Sequence, residues 1–249
     1  MMSTNIIFPD WPAPPSVQAV ITTRIGGVSE CPYYSFNLAT HVGDSEACVQ
    51  RNRRLLSERL ALPAEPQWLN QTHGIRIVPA QNDGVVRDAD GSYSQHPNQI
   101  CLVQTADCLP ILLCNQEGSE VAALHAGWRG LAAGIVSEGV QRFSSAKLLA
   151  YLGPAISQSN FEVGVDVVRA FTEQAGNWES RQEIINCFQQ KGPQHWLADL
   201  YALARLALKA AGVRLVYGGN YCTYSDSEHF FSFRRDGETG RIASLIWVE

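Results

Sequence analysis

Apolar residues along this 249-residue chain fall in short blocks separated by polar, Gly- and Pro-punctuated stretches. Residues 1–16, with Pro9, Pro12, Pro14 and Pro15, predict an extended lead-in. Val17 to Arg24 is rich in β-branched residues and predicts a strand. A long polar loop opens at Gly26-Gly27, and long ordered loops tend to carry function. Ser45 suits an N-cap for a helix to about Leu60, with Val49, Leu56 and Leu60 on one face, ended by Leu62-Pro63.

Gln67 to Gln71 and Ile75 to Val78 predict short strands around His73-Gly74, and Asp83-Gly84 and Asp90-Gly91 are turn signals. Ile100 to Gln104, Leu109 to Cys114 and Glu120 to Leu124 have the length and content of buried strands. Leu131 to Phe143 has helical spacing, and Lys147 to Leu152 is a strand ending in Gly153-Pro154. Helices are expected near Val165–Glu173 and Asn177–Cys187, and over Ala198–Ala211 with Asp199 at its start and Gly212 at its end. Leu215 to Tyr217 is a further strand. Phe230–Arg234 and Arg241–Val248, around Asp236-Gly237, read as a hairpin-like pair. Strands and helices mix without strict βαβ alternation. The expected class is therefore α+β, one domain over 17–249 with mixed sheets flanked by helices.

Composition narrows the function classes. The chain is 45% hydrophobic and 17% charged, as in an ordinary globular protein. A net charge of −5 without a basic block argues against nucleic acid and anionic membranes as partners. No apolar run approaches a membrane span, and the stretch near the start lacks the charged-then-apolar layout of a signal peptide, its prolines being expected to break an apolar region there. The expected compartment is the cytoplasm, where the seven cysteines would be reduced thiols.

Candidate chemistry gathers at the borders of apolar runs. Val103 to Gly130 carries Cys108 and His125, and Gln71-Thr72-His73-Gly74 lies upstream. Each of His73, Cys108 and His125 sits beside a residue that bends the chain: Gly74, Pro110 and Gly127. A thiolate and two imidazoles suit zinc, and three ligands leave one position open, as in a catalytic site. The three lie too far apart in sequence for a zinc finger, and by spacing alone Cys101 or Cys114 would serve equally well. A cysteine on an apolar strand is also an ordinary small core residue.

Around them, Asp107 is either a carboxylate that orients the ligands or a turn residue. Gln71 would share a strand face with His73 and could contact a polar substrate. Trp128 is a stacking wall or a core aromatic. Arg24, Asn37, His41 and Arg129 lie in loop-like sequence. Its arginines could hold phosphate bidentately, unless they are simply solvated. Arg234-Arg235-Asp236 reads as an exposed charged turn, and Cys222 with His229 as a weaker metal-capable pair.

The stretches TTRIGGVSE (22–30), NLATHVGD (37–44), LNQTHG (69–74), TADCLPILL (105–113), HAGWRG (125–130), LGPAIS (152–157), FEVG (161–164) and FFSFRRDGETGR (230–241) resemble the YfiH-type laccase-domain family. That family is also labelled polyphenol oxidase, multicopper-oxidase-like or peptidoglycan editing factor. The resemblance implies a zinc-type site on His73, Cys108 and His125. It also implies an α+β fold like that of a cytotoxic-necrotizing-factor-type cysteine hydrolase. For activity it implies phosphorolysis of adenosine, inosine, guanosine and methylthioadenosine, plus adenosine deamination; the partners are then a small nucleoside and phosphate. The group protonating the departing base is unassigned beyond His41.

Two other chemistries use the same residues. A copper phenol oxidase would want a weak axial ligand, often Met, yet only Met1 and Met2 exist. A metal-free cysteine hydrolase would use Cys108 as nucleophile with His125 or His73 as base, for example on peptidoglycan precursors. A non-catalytic binding or scaffold module is the fourth reading; on any of them the oligomeric state is open between monomer and homodimer.

Overall fold

A computed structural model describes residues 6–174, 177–178 and 180–249. The elements in chain order begin with β1 (Ile6–Ile7), β2 (Val17–Thr22) and α1 (Glu46–Leu60). Then follow β3 (Leu69–Asn70), β4 (Ile77–Pro79), β5 (Arg87–Asp88), β6 (Gly91–Ser94), β7 (Cys101–Thr105), β8 (Leu109–Asn115) and β9 (Val121–Ala126). Next come α2 (Trp128–Ala133), α3 (Ile135–Val140), β10 (Leu148–Leu152), a 3₁₀ turn (Gln158–Asn160), β11 (Glu162–Gly164) and α4 (Val165–Thr172). The remainder is α5 (Arg181–Ile185), β12 (Phe188–Gly192), β13 (His195–Ala198), α6 (Leu200–Ala210), β14 (Leu215–Gly218), α7 (Phe233–Asp236) and β15 (Ile242–Val248).

Two larger sheets pack face to face. One runs β1-β2-β15-β7 and the other β14-β10-β8-β9-β6-β4. Side chains alternate across a strand, so β8 sends Leu112 and Cys114 toward the other sheet and Ile111 and Leu113 toward the helices. Leu112 and Cys114 meet Val103 and Ile246 between the sheets. On the far side, Ile111, Leu113 and Leu124 pack under Leu131, Ile135, Leu203 and Leu208. The outer face of the first sheet is covered by Phe36, Leu38 and Leu56 of α1 and its preceding loop. The result is an α+β domain of four layers. Strands covered on both faces read as continuous apolar runs, which is why β7 to β9 were legible. Ile6 and Ile7 of the lead-in pair antiparallel with β2. Among the described residues no helix is long and apolar enough to cross a membrane.

Three sequence expectations need correction, and one hairpin is added. The helix expected over 131–143 begins at Trp128 and breaks at Gly134, whose φ of 103° is open to glycine but strained for other residues. The helix expected over 177–187 is only α5, started by a capping box of Ser180 and Glu183; residue 179 lies outside the described residues. Downstream, β12 and β13 form a hairpin whose polar, exposed face hid it. Phe230–Arg234 does not pair with β15, because both edges of β15 are taken by β2 and β7. Instead Phe230 and Phe231 are buried, and Ser232 caps the short α7 through the Arg235 N–H.

Candidate active site

The ends of the core strands β7 and β9 and of the short β3 converge at one rim. His125 is the next-to-last residue of β9, opposite Pro110 in β8. Cys108 sits in the turn from β7 to β8. His73 follows β3 in a left-handed conformation, φ 62°. The Cys108 Sγ lies 3.7 Å from His73 Nε2, and the two imidazoles meet edge to face at 4.8 Å. One donor atom from each of the three lies within 4.8 Å of the others. A tetrahedral zinc with ordinary bond lengths would set its sulfur and nitrogen ligands about 3.6 Å apart. The donor set and spacing fit a metal ion.

Asp90 holds this arrangement. Its carboxylate is fully buried and accepts from the N–H groups of Thr72 (3.1 Å), His73 (2.8 Å) and Gly74 (2.7 Å) and from the Thr72 hydroxyl (3.1 Å). It also meets His125 Nδ1 at 2.8 Å. Three successive amides on one carboxylate explain how His73 keeps a left-handed backbone that side-chain-bearing residues seldom adopt. Burial pushes the Asp90 carboxyl up, but His125 and the Gly74 and Thr72 amides outweigh it and hold it at about 2. An ionised partner obliges Nδ1 of His125 to carry a proton; Nε2 is directed to Cys108, and a metal there would take the place of the second proton. Asp90-Gly91 reads in sequence as a turn. Only the pairing of Gly91 with Leu124 sets Asp90 beside His125.

Burial also opposes ionisation of Cys108. The charge and hydrogen bond of His125, with His73 after it, prevail and bring the thiol down to about 6. His125 is correspondingly raised to about 9, the Cys108 thiolate and Asp90 overcoming its burial. Cys108 is thus a thiolate at neutral pH, the form that binds metals and attacks electrophiles. Cys101 and Cys114, buried between the sheets, are pushed up to about 12 and remain inert thiols.

The glycines of HAGWRG make room for the triad. A Cβ on Gly127 would lie 2.9 Å from Cys108 Sγ and 3.0 Å from His73 Cδ2, and one on Gly130 would lie 2.7 Å from the Gly74 carbonyl. Gly127 has an ordinary extended backbone, φ −60° and ψ 157°. Gly127→Ala should therefore leave thermal stability within about 1 kcal/mol while displacing both ligands. A shift of that kind is expected to lower turnover by roughly a hundredfold, read from kcat and a melting curve of the same preparation.

The triad opens into a cavity of about 430 Å³, within the range that holds small ligands. Trp128, Phe161, Phe233 and Ile156 form apolar walls, and Arg129, Arg234 and Arg241 bring positive charge. His41 and Gln71 line it as well. Desolvation, then Arg241 and Arg53, hold His41 below its ordinary range. Gln71 spends its amide on the backbone of Gln104, at 2.8 Å in both directions.

Two residues expected near a substrate lie elsewhere. Arg24 is outside the cavity wall, donating to the Tyr34 and Ser227 carbonyls and stacking 4.8 Å over Phe231. Asn37 is buried, bridging Ala39, Asp44 and the Arg241 N–H.

Strand geometry does not persist at Asp107, whose φ is 88°. Its carboxylate accepts from the Thr223 hydroxyl (2.6 Å) and the Arg234 N–H (2.7 Å), so it fastens the segment that carries Phe233 and Arg234. Cys222 and His229 stay apart from the triad: Cys222 accepts from the Ser157 hydroxyl at 3.0 Å, and His229 Nδ1 meets Asp226 at 2.9 Å. Arg234 and Arg241 were missed as cavity residues, since a charged hairpin turn is what their local sequence suggests.

Residues 18–249 match the model of the family described as multi-copper polyphenol oxidoreductase laccase. The chain belongs to that family. Within it, a purine nucleoside phosphorylase of Pseudomonas aeruginosa is 47% identical over 97% of both chains. The purine nucleoside phosphorylase YfiH of Escherichia coli is 46% identical over 98% of this chain and 99% of its own. A crystal structure of a Neisseria meningitidis protein superposes with a TM-score of 0.93 at 47% identity, covering 99% of this chain and 100% of that one. YlmD of Geobacillus stearothermophilus does so at 0.87 and 30% identity, over 94% and 93%.

Proposed function

We propose that this protein is a zinc-dependent purine nucleoside phosphorylase. Its substrates would be adenosine, inosine, guanosine and methylthioadenosine, with adenosine deaminated in the same cavity, and its setting the cytoplasm. The observation that carries the reading is a thiolate and two imidazoles at the foot of a cavity with aromatic walls and three arginines. The curated relatives named as purine nucleoside phosphorylases support it.

His73, Cys108 and His125 would hold the ion, whose Lewis acidity would polarise an oxygen of the substrate or of water. The residues themselves supply the rest. Trp128, Phe161 and Phe233 offer faces for a flat base. Arg129, Arg234 and Arg241 offer charge for phosphate, which must reach the ribose C1′ as the base departs. Asp90 keeps His125 in a single tautomer.

The test is purine release from inosine with and without phosphate, alongside the metal content of protein purified without added metal. Hypoxanthine and ribose 1-phosphate should form in equal amounts, only with phosphate, and about one zinc should accompany each chain. Purine release indifferent to phosphate would mean hydrolysis instead. Bound copper with phenol oxidation would favour the oxidase reading.

A second reading rests on the Asp90–His125–Cys108 sequence of contacts, which has the parts of a cysteine hydrolase. Iodoacetamide labelling of Cys108 separates the two: a chelator should speed labelling if zinc holds the thiolate and leave it unchanged if no metal does.

A further inference from the structure

The three arginines of the cavity are not alike. Among the described residues none of them is ion-paired to a carboxylate. Arg129 and Arg234 are exposed, whereas Arg241 is half-buried. Arg129 stacks 4.2 Å over Trp128. Arg234 stacks 5.4 Å over Phe161 and donates to the Glu162 carbonyl. Solvent screens exposed charges of this kind.

Arg241 is held differently. Its Nη1 donates to the carbonyls of Thr239 (2.8 Å) and Gly240 (2.9 Å), and its Cζ lies 5.9 Å over the Phe233 ring. The side chain of Asn37 fixes its backbone N–H at 2.9 Å. The guanidinium is therefore set in place before any ligand arrives. Its Nε and Nη2 find no hydrogen-bond partner among the described residues, yet neither is enclosed. The charges of Cys108 and Asp107 act on it, and its own charge acts on His41; all of these residues line the cavity. Desolvation is the leading influence and holds the guanidinium below its ordinary range. A desolvated charge without a partner is unfavourable, and an anion removes that penalty. A charge pair is also about four times stronger at the effective dielectric of a protein site than in bulk water.

We propose that Arg241 is the residue that anchors phosphate beside Cys108, its free Nε and Nη2 taking two oxygens side by side. The exposed Arg129 and Arg234 act at longer range, drawing anions into the cavity. This rests on the phosphorylase reading for the identity of the anion. A planar fork with two free N–H groups matches a tetrahedral oxyanion, which a single-point ammonium does not.

Melting curves and kinetics together test the assignment. Phosphate, or sulfate as an unreactive anion of the same shape, should raise the melting temperature of the parent in a concentration-dependent way. Arg241→Met keeps an unbranched stem and removes the fork, and its melting temperature should respond to neither anion. Its KM for phosphate should rise roughly tenfold to a hundredfold, with the KM for inosine unmoved. Arg241→Lys keeps the charge without the paired donors and should recover only part of the loss. The lysine variant also serves if the methionine variant does not fold. Arg51→Gln, which removes an equal charge from the exposed face of α1, should behave as the parent.

A phosphate KM unmoved in both Arg241 variants would overturn the assignment. So would equal rises in the KM for phosphate and for inosine, the result of a merely structural role, or a full response of Arg241→Met to either anion. If the parent released purine without consuming phosphate and yet lost anion protection on Arg241→Met, the anion site would stand and the phosphorylase reading would fall.

Discussion

Cys108→Ala is expected to lower ribose 1-phosphate formation from inosine by on the order of a thousandfold or more. The side chain lies at the cavity rather than in a core cluster, so truncation opens no internal void, and the melting temperature should barely move. Cys108→Ser should fall nearly as far, because a hydroxyl is not ionised where the thiol is held at about 6. The sign with pH follows. Protons compete with the ion for the Cys108 sulfur and the two imidazoles, so bound metal should be released as the pH is lowered and regained on return. His73→Ala combined with Cys108→Ala should be little worse than either alone, since the ligands act as a unit. Half-normal turnover in Cys108→Ala would remove the triad from the chemistry.

Asp90→Asn should damage both stability and turnover. The amide can replace one acceptor oxygen but sets an N–H against donors that now meet a carboxylate. A loss of about 2–4 kcal/mol in unfolding free energy is expected, with metal affinity or activity down about 10- to 100-fold. The carboxyl sits at about 2 when folded, against 3.8 ordinarily, so its ionised form stabilises the fold by about 2 kcal/mol. A depressed carboxyl pKa gives stability that is present above about pH 4 and lost as pH falls toward 2. The parent should therefore lose stability across that window and Asp90→Asn should be flatter there, measured by urea unfolding at each pH. Parallel pH profiles for the two proteins would contradict the role given to Asp90.

The sequence by itself determined most strands of the core, though not β6, and the helices at 46–60 and 200–210 to within two residues, because these depend on local pattern; it offered His73, Cys108 and His125 as candidates on the same ground. Burial on two faces leaves an unbroken apolar run, and a Cys or His at its border beside Gly or Pro stands out. Spacing could not choose among Cys101, Cys108 and Cys114; the fold did, by sealing two of them between sheets and opening the third to a cavity. Asp90 was beyond local reach, since Asp-Gly has the same signature whether exposed in a turn or buried against a histidine. Arg234 and Arg241 enter the cavity because both edges of β15 are occupied and Asp107 pins the preceding segment. Such placements depend on pairings between residues far apart in the chain, and only tertiary packing sets those.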